Sequence, residues 1–191
     1  YPIDVVVDGN DMYIVSLTST DSDLTPEALQ LEINGHSGFA PNWINLQKYG
    51  SSFDMTVTKV TLDEKRVDGV SLGGISFTKR WTREFPMNPD PSGSVPRVYL
   101  GGAILKKSDG YLAVSGSTRG FGEGYGDAFN NDEDGFVTLL DMQTGELANE
   151  SRNNIREGTS EDDFVFGMCH DPDDSSSFYI TGATKGVMPG S

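Results

Sequence analysis

Residues 112–120, Leu-Ala-Val-Ser-Gly-Ser-Thr-Arg-Gly, recur as residues 178–186, Phe-Tyr-Ile-Thr-Gly-Ala-Thr-Lys-Gly, 66 positions further along the chain. A weaker copy, Tyr-Ile-Val-Ser-Leu-Thr-Ser at residues 13–19, precedes the first by 99 positions. Each copy follows an aspartate-rich turn, at residues 8–11, 108–110 and 171–174. A strand-forming segment that recurs behind the same kind of turn predicts a structural unit present several times.

The rest of the chain also has the pattern of short strands. Alternating and β-branched runs are divided by clusters of Gly, Asn, Asp and Pro, as strands and hairpin turns require. The 191 residues include 23 glycines and 9 prolines without a collagen period, which indicates many tight turns. Helical signals are confined to residues 25–31, where Thr25 can cap and Pro26 can begin one or two turns. We therefore predict an all-β fold.

A second pair of similar segments completes the repeating unit. Residues 58–63 resemble residues 136–141, and a polar turn follows both. Four antiparallel strands per unit, joined by glycine-rich links, is the plan of a β-propeller blade. The expected division is a partial blade at 1–20, a link with a short helix at 21–54, a blade at 55–118, a glycine-rich acidic loop at 119–133 and a blade at 134–186.

Two and a half such blades form an incomplete ring, because propellers close with four to eight blades. The missing blades are expected from the remainder of a longer chain or from other protein chains. We favour a longer chain, because the sequence starts within a blade.

Residues 158–186 resemble the bacterial-type seven-bladed beta-propeller repeat family. Their Gly-Thr-Ser-Glu-Asp-Asp-Phe, Asp-Pro-Asp and Phe-Tyr-Ile-Thr-Gly-Ala-Thr segments follow its pattern, and residues 134–141, Asp-Gly-Phe-Val-Thr-Leu-Leu-Asp, are similar to its opening strand. The resemblance covers the last blade almost throughout and the middle blade mainly in its final strand. It implies a scaffold or ligand-binding role in a secreted or cell-surface protein, and it implies no catalytic residues.

The most specific candidate for chemistry is a calcium loop at residues 130–135. Asn130, Asp132 and Asp134 place oxygen ligands at alternate positions before a glycine, and Asp141 falls where a closing acid would stand. The following segment has the pattern of a strand, whereas the best-known calcium loop is followed by a helix. A bound calcium ion and a solvated acidic turn both remain open.

Other polar residues offer weaker signals of catalysis. The aspartates at 162–163 and 171–174 recur at turns of the repeat, where aspartate accepts backbone N–H groups, so turn chemistry explains them better than a glycosidase pair. Cys169 and His170 are adjacent, and adjacent side chains of a strand point to opposite faces. The chain has no nucleophile-elbow, P-loop or zinc-protease motif.

Aromatic residues in the long links are candidates for binding. Trp43 lies in the 21–54 link, where it can contact a partner or a neighbouring blade, or pack locally. Phe121 and Tyr125 lie in a glycine-rich loop suited to stacking contacts. Asn149 begins the sequon Asn-Glu-Ser and is a candidate glycosylation site if the protein is secreted by a eukaryote.

A different interpretation applies to Trp81. It stands four residues from both Phe77 and Phe85, so all three are expected on one face of a strand, packed in a core.

Charge excludes some function classes. The formal net charge is −15, from 29 acidic and 14 basic residues, which is unfavourable for nucleic acid or an anionic membrane surface. No apolar run approaches the roughly 20 residues that span a bilayer.

The sequence therefore favours a non-enzymatic structural or binding module of a secreted or cell-surface protein, with protein or glycan contacts. A fragment of a propeller-type glycan hydrolase or lyase is the alternative. An enzyme of that kind would need acids or histidines from several blades to converge near a central channel.

Overall fold

The structure, a computed structural model, describes residues 2–19, 53–67, 70–85, 98–118, 134–148, 154–157, 159, 161–174 and 177–187. These residues form ten strands, all paired antiparallel, and they include no helix. The predicted all-β class is therefore confirmed. No helix in these ranges is long and apolar enough to cross a membrane. The short helix expected at 25–31 lies outside the described residues.

The strands are β1 (Pro2–Asp8), β2 (Asp11–Ser19), β3 (Phe53–Val67), β4 (Val70–Phe85), β5 (Val98–Lys106), β6 (Tyr111–Thr118), β7 (Asp134–Asp141), β8 (Asn154–Glu157), β9 (Asp163–His170) and β10 (Phe178–Thr184). They form three groups in chain order. The N-terminal sheet is β1-β2-β3-β4, the central sheet is β5-β6-β7-β8, and the C-terminal hairpin is β9-β10. The described parts of these groups do not close into a ring.

This grouping differs from the expected division into blades. Residues 53–85 pair with β2 of the N-terminal sheet, and residues 98–118 pair with β7 of the central sheet, so the expected blade at 55–118 is split between two sheets. The links at 20–52 and 119–133 join the second and third strands of one sheet instead of joining sheets. The second strand has a free edge after it pairs with the first, and backbone pairing fills that edge whatever the length of the link.

Each group begins with a hairpin of the same construction. The residues that close the turn are the pair Asp8 and Asp11 in the N-terminal sheet and the pair Lys106 and Tyr111 in the central sheet. In the third group they are Asp171 and Ser177, joined by a hydrogen bond of 3.2 Å from Asp171 N to the Ser177 carbonyl. Five residues before each closing position the first strand carries a β-bulge, at residues 3, 101 and 166. Positions counted from the closing pairs are therefore structurally equivalent in all three hairpins.

Counted from the closing pairs, these equivalences agree with the sequence alignment at one offset and differ from it at the other. Thr118 and Thr184 are equivalent, as the 66-residue offset requires. The N-terminal copy is shifted by one residue, because Thr18 is equivalent to Thr118, which makes the second-strand offset 100 rather than 99. The turn in the central sheet spans residues 107–110 but only residues 9–10 in the N-terminal sheet. A shift of one residue exchanges the two faces of a strand, so an alignment at offset 99 would pair β2 residues with β6 residues of the opposite face.

The three groups are stacked face to face. One face of the central sheet packs on the N-terminal sheet around a buried cluster: Tyr13, Val15, Leu17, Met55 and Val57 from the N-terminal sheet, with Val98, Leu100, Ala103, Leu105, Leu112, Val114, Phe136, Leu140 and Met142. The other face presents Ile104, Ala113 and Val137 to Met168 and Phe178 of the C-terminal hairpin. The central sheet is thus covered on both sides.

The first strands of the three groups lie side by side and run in the same direction. Asp4 of β1 accepts a hydrogen bond of 2.8 Å from Ala103 N, and Asp8 forms an ion pair of 2.7 Å with Lys107. In both pairs the two residues are 99 positions apart in the sequence, so β1 and β5 run parallel in a constant register. Consequently the links at 20–52, 86–97 and 119–133 leave from one end of the stack and the aspartate-rich turns from the other.

Gly101 allows the closest approach between β5 and β9. A methyl group placed on its Cα would lie 2.7 Å from the Val165 carbonyl oxygen, which is backbone and has little freedom to move. We expect Gly101→Ala to lower the free energy of unfolding by about 1–3 kcal/mol through overpacking, measured by urea denaturation. In Gly167→Ala, on the facing strand, the new group would meet nothing closer than 3.7 Å, so that variant is the control. Equal losses in the two variants would show that this strand contact is wrong.

Candidate functional site

The two described members of the predicted calcium loop are far apart. Asp134 and Asp141 stand at opposite ends of β7, and seven residues of extended strand at about 3.3 Å each separate their Cα atoms by about 23 Å. Calcium binds its oxygen ligands at roughly 2.3–2.6 Å, so one ion cannot bind both carboxylates. The prediction that Asp141 closes the loop is therefore wrong, because a strand and not a helical segment follows Asp134.

Asp141 instead organises the turn after β7. Its Oδ1 accepts hydrogen bonds from Gln143 N and Thr144 N, both at 2.8 Å, and from the Thr144 hydroxyl at 3.2 Å. The bond from Thr144 N is the main reason that the pKa of Asp141 lies below its usual value. This is the turn chemistry that aspartate commonly provides.

Asp134 is buried, with 6% of its surface exposed. Asn130 and Asp132 lie outside the described residues, so a calcium ion held by Asn130, Asp132 and Asp134 stays a prediction. In the described ranges, no three His, Cys, Asp or Glu side chains are grouped closely enough to hold a metal ion. The predicted binding residues Trp43, Phe121 and Tyr125 and the predicted glycan site Asn149 also lie outside those ranges.

The acidic residues of the C-terminal hairpin serve local structure. Asp171 accepts hydrogen bonds from Asp173 N and from the Tyr179 hydroxyl, both at 2.9 Å, and Asp163 accepts one from Thr159 N. Asp163 begins β9 and Asp171 directly follows its last residue, so their Cα atoms are about 26 Å apart at about 3.3 Å per residue. A glycosidase pair needs carboxyl groups within about 10 Å, so these two cannot act together on one glycosidic bond.

A buried lysine joins the N-terminal and central sheets. Only 5% of Lys59 is exposed, and its Nζ lies 2.8 Å from Asp11 Oδ2 and 3.1 Å from the Met142 carbonyl oxygen. The same ammonium group stands 5.3 Å from the centre of the Tyr13 ring. Burial opposes the charge, but the contacts with Asp11 and Tyr13 outweigh it, so the pKa of Lys59 is raised. The lysine therefore stays protonated and fixes the two sheets against each other.

Loss of this ammonium group should weaken the sheet interface. We expect Lys59→Met to lower the free energy of unfolding by about 1–3 kcal/mol, because the Met142 carbonyl and Asp11 lose a charged hydrogen-bond donor. The comparison is Arg80→Met, since Arg80 and Asp63 form an exposed ion pair of 3.9 Å that contributes about 1 kcal/mol or less. Urea denaturation at pH 7 measures both, and a smaller loss in Lys59→Met would contradict the assigned role.

The contribution of Asp11 and Lys59 to stability depends on pH, and the direction follows from their pKa shifts. The hydrogen bonds from Lys59 and Thr61 lower the pKa of Asp11 from 3.8, so its contribution is complete above pH 3.8 and is lost as pH falls through the lowered pKa. The pKa of Lys59 is raised from 10.5, so its contribution is complete below pH 10.5 and is lost as pH rises further. The wild type should therefore lose more stability than Lys59→Met at both extremes.

The N-terminal sheet and the C-terminal hairpin each have an exposed outer face, which points away from the central sheet. The outer face of the N-terminal sheet comprises the exposed side chains Val5, Val7, Ile75 and Phe77 with the half-buried Met12, Ile14, Val60 and Leu62. The outer face of the C-terminal hairpin comprises Cys169, Tyr179, Thr181 and Ala183, all exposed. These two outer faces are the candidate contact surfaces of the described chain.

A bulge in β4 explains why Phe77 is exposed. Lys59 pairs with Trp81, but the next residue, Val60, pairs with Lys79, so Arg80 is an extra residue in β4. Trp81 and Phe85 pack on the core, whereas Phe77 lies on the opposite face and is 60% exposed. The expectation that all three aromatic residues share one face is therefore wrong for Phe77.

A cavity of about 260 Å³ opens at the link end, between the central sheet and the C-terminal hairpin. It is lined by Gly135, by residues 163–165 and by residues 180–184. Asp163 is 5% exposed, and its Oδ1 has no hydrogen-bond partner among the residues that the structure describes. The lining is otherwise mostly backbone and apolar side chains.

The sequence analysis missed both the buried lysine and the outer faces. Lys59 stands in an otherwise alternating strand at a position whose neighbours two residues away, Val57 and Thr61, give no sign of a buried charge. The outer faces were detectable in principle, since β1 carries valine at three consecutive positions and such runs are typical of strands covered on both sides.

Comparison with known proteins adds no relative. No protein-family model matches the chain, and a search of curated proteins finds no match. The resemblance of residues 134–186 to the seven-bladed beta-propeller repeat family therefore stays a prediction.

Proposed function

We propose that this chain is a non-catalytic scaffold or binding module built from propeller-type sheets. It belongs to a secreted or cell-surface protein and makes contacts with protein or glycan. The observation that carries the proposal is the order of the stack, in which each group begins with the same bulged hairpin and packs the same face on its successor.

The equivalent positions support a rotational relation between successive groups. Tyr13 of the N-terminal sheet faces the central sheet, and Ala113, the equivalent residue of the central sheet, faces the C-terminal hairpin. Leu112 and Phe178 are also equivalent, and each faces the preceding group. Sheets that repeat around an axis would pack in this manner with parallel first strands, so these equivalences support the proposal of propeller-type blades.

Charge and the position of the links support a contact role. The net charge of −15 favours basic partners or cations over nucleic acid. The predicted binding residues Trp43, Phe121 and Tyr125 belong to links that leave from one end of the stack, where connecting segments commonly carry binding residues.

The test is to compare binding with turnover on the same ligands. The purified chain is incubated with a panel of polysaccharides and oligosaccharides, binding is measured by calorimetry, and newly formed reducing ends and unsaturated ends are quantified. We expect no release of either product at any ratio of protein to saccharide. Release that disappears in Asp163→Asn, and persists in the exposed-turn variant Gln143→Lys, would instead establish a propeller-type hydrolase or lyase.

A further inference from the structure

We propose that the outer face of the N-terminal sheet docks the outer face of the C-terminal hairpin of a second copy of this chain. This inference rests on the proposed scaffold function, and of the two sources considered for the missing blades it takes other protein chains instead of a longer chain. The partner is a second copy because the chain itself carries both halves of the contact, each at positions that are buried where the same contact occurs internally.

The outer face of the N-terminal sheet is formed by hairpin positions whose equivalents in the central sheet are buried. Val5 and Val7 are equivalent to Ala103 and Leu105 of the central sheet, which are 8% and 5% exposed because the N-terminal sheet covers them. In the N-terminal sheet the same two positions are 49% and 55% exposed. The residues at these positions are valines, and their side chains point away from the central sheet. The surface is therefore built like an interface and has no covering group in the described chain.

The outer face of the C-terminal hairpin is formed by positions whose equivalents in the N-terminal sheet pack on the central sheet. Tyr179 is equivalent to Tyr13, whose ring is completely buried against the central sheet. Tyr179 is 56% exposed, and Thr181 and Ala183, equivalent to Val15 and Leu17, are exposed beside it. A tyrosine is thus present at the same hairpin position in both groups, buried in one and exposed in the other.

The size of the two surfaces is no obstacle. Within the chain the two-stranded C-terminal hairpin already packs against the four-stranded central sheet through Met168 and Phe178. A hairpin on a four-stranded sheet is therefore a contact that this fold makes. Because the two surfaces differ, the contact is head-to-tail, and copies assemble into a closed ring or an open filament and not only into symmetric dimers.

Charge sets the conditions under which docking is strongest. Each copy carries −15, so association is opposed at low ionic strength and should become tighter as salt screens the repulsion. Burial of valine, isoleucine and tyrosine side chains provides the attraction and is not weakened by screening.

Two complementary variants test the head-to-tail contact. Sedimentation velocity of the full chain, over a hundredfold range of concentration at moderate salt, should show a mass that rises with concentration. Val7→Lys alters one surface and Tyr179→Lys the other, and each variant alone should stay monomeric. A mixture of the two should form a dimer and nothing larger, because only one intact surface of each kind is present. Gln143→Lys, in an exposed turn, should associate like the wild type.

The single cysteine gives an independent readout. Cys169 is exposed on the outer face of the hairpin, and the chain has no other cysteine. Its labelling by a maleimide should slow as the wild-type concentration rises and should not slow in Val7→Lys. Far-UV circular dichroism and melting curves establish that both lysine variants are folded.

The outcomes separate this inference from the proposed function. A wild type that stays monomeric at every concentration overturns the docking contact, and so does self-association by either single variant. Neither result bears on the scaffold proposal, which the turnover assay tests. Product release in that assay overturns the scaffold proposal whatever the state of assembly.

Discussion

Replacing Leu112 by alanine is expected to lower the free energy of unfolding by about 2–5 kcal/mol, the range for removing a buried leucine and leaving a cavity. Leu112 is completely buried between the N-terminal and central sheets. Urea denaturation at low protein concentration, where any association is weak, gives the value.

Met12 is the matched control, because it occupies the equivalent hairpin position in the N-terminal sheet. It lies on the outer face and is half-buried, so Met12→Ala should cost about 1 kcal/mol or less at low concentration. Similar losses for the two variants would contradict the assignment of which face is covered.

Replacing Gly145 by alanine is expected to cost about as much as the leucine truncation, through two separate effects. Gly145 has a φ of 72°, where an L-residue is strained by about 1–2 kcal/mol. A methyl group on its Cα would also lie 2.7 Å from the Trp81 ring, and overpacking of this kind costs about 1–3 kcal/mol. The turn after β7 packs directly on this ring, so the added group has to displace one of them.

Gly110→Ala separates the two effects. Gly110 has a φ of 75°, but no atom of the described residues lies within 4 Å of the added methyl group, so only the backbone strain applies. The difference between the two variants in melting temperature, or in the free energy of unfolding, measures the contact of the turn with Trp81. If Gly110→Ala proves as costly as Gly145→Ala, that contact contributes nothing.

The fold class and the repeated hairpins could be predicted because they are determined locally. Alternation along a strand and an aspartate–glycine turn act over a few residues, and the segments at 112–118 and 178–184 preserve their register. The offset for the N-terminal copy was wrong by one residue because turn length changed between copies. Sequence similarity could not reveal which face each residue of β2 occupies.

Sheet membership could not be predicted because it depends on pairing between distant segments. The backbone of β3 pairs with β2 across residues 20–52, and link length gives no information about such pairing. The same limitation applies to the site. Lys59 and Asp11 lie 48 residues apart, and their ion pair exists only because β2 and β3 are neighbours. Asp141 matched the spacing of a calcium ligand, but that spacing assumes a compact loop, and an extended strand moves it out of reach.

The contrast between short turns at one end of the stack and long links at the other has a consequence for the rate of folding. Hairpins such as β1-β2 and β5-β6 close over two and four residues, so they can form early from local contacts. The pairing of β2 with β3 must first bring together segments separated by residues 20–52, and the entropy of that search is lost before any contact is gained. Refolding should therefore be paced by the joining of hairpins, which leaves their unpaired edges open to other chains for longest.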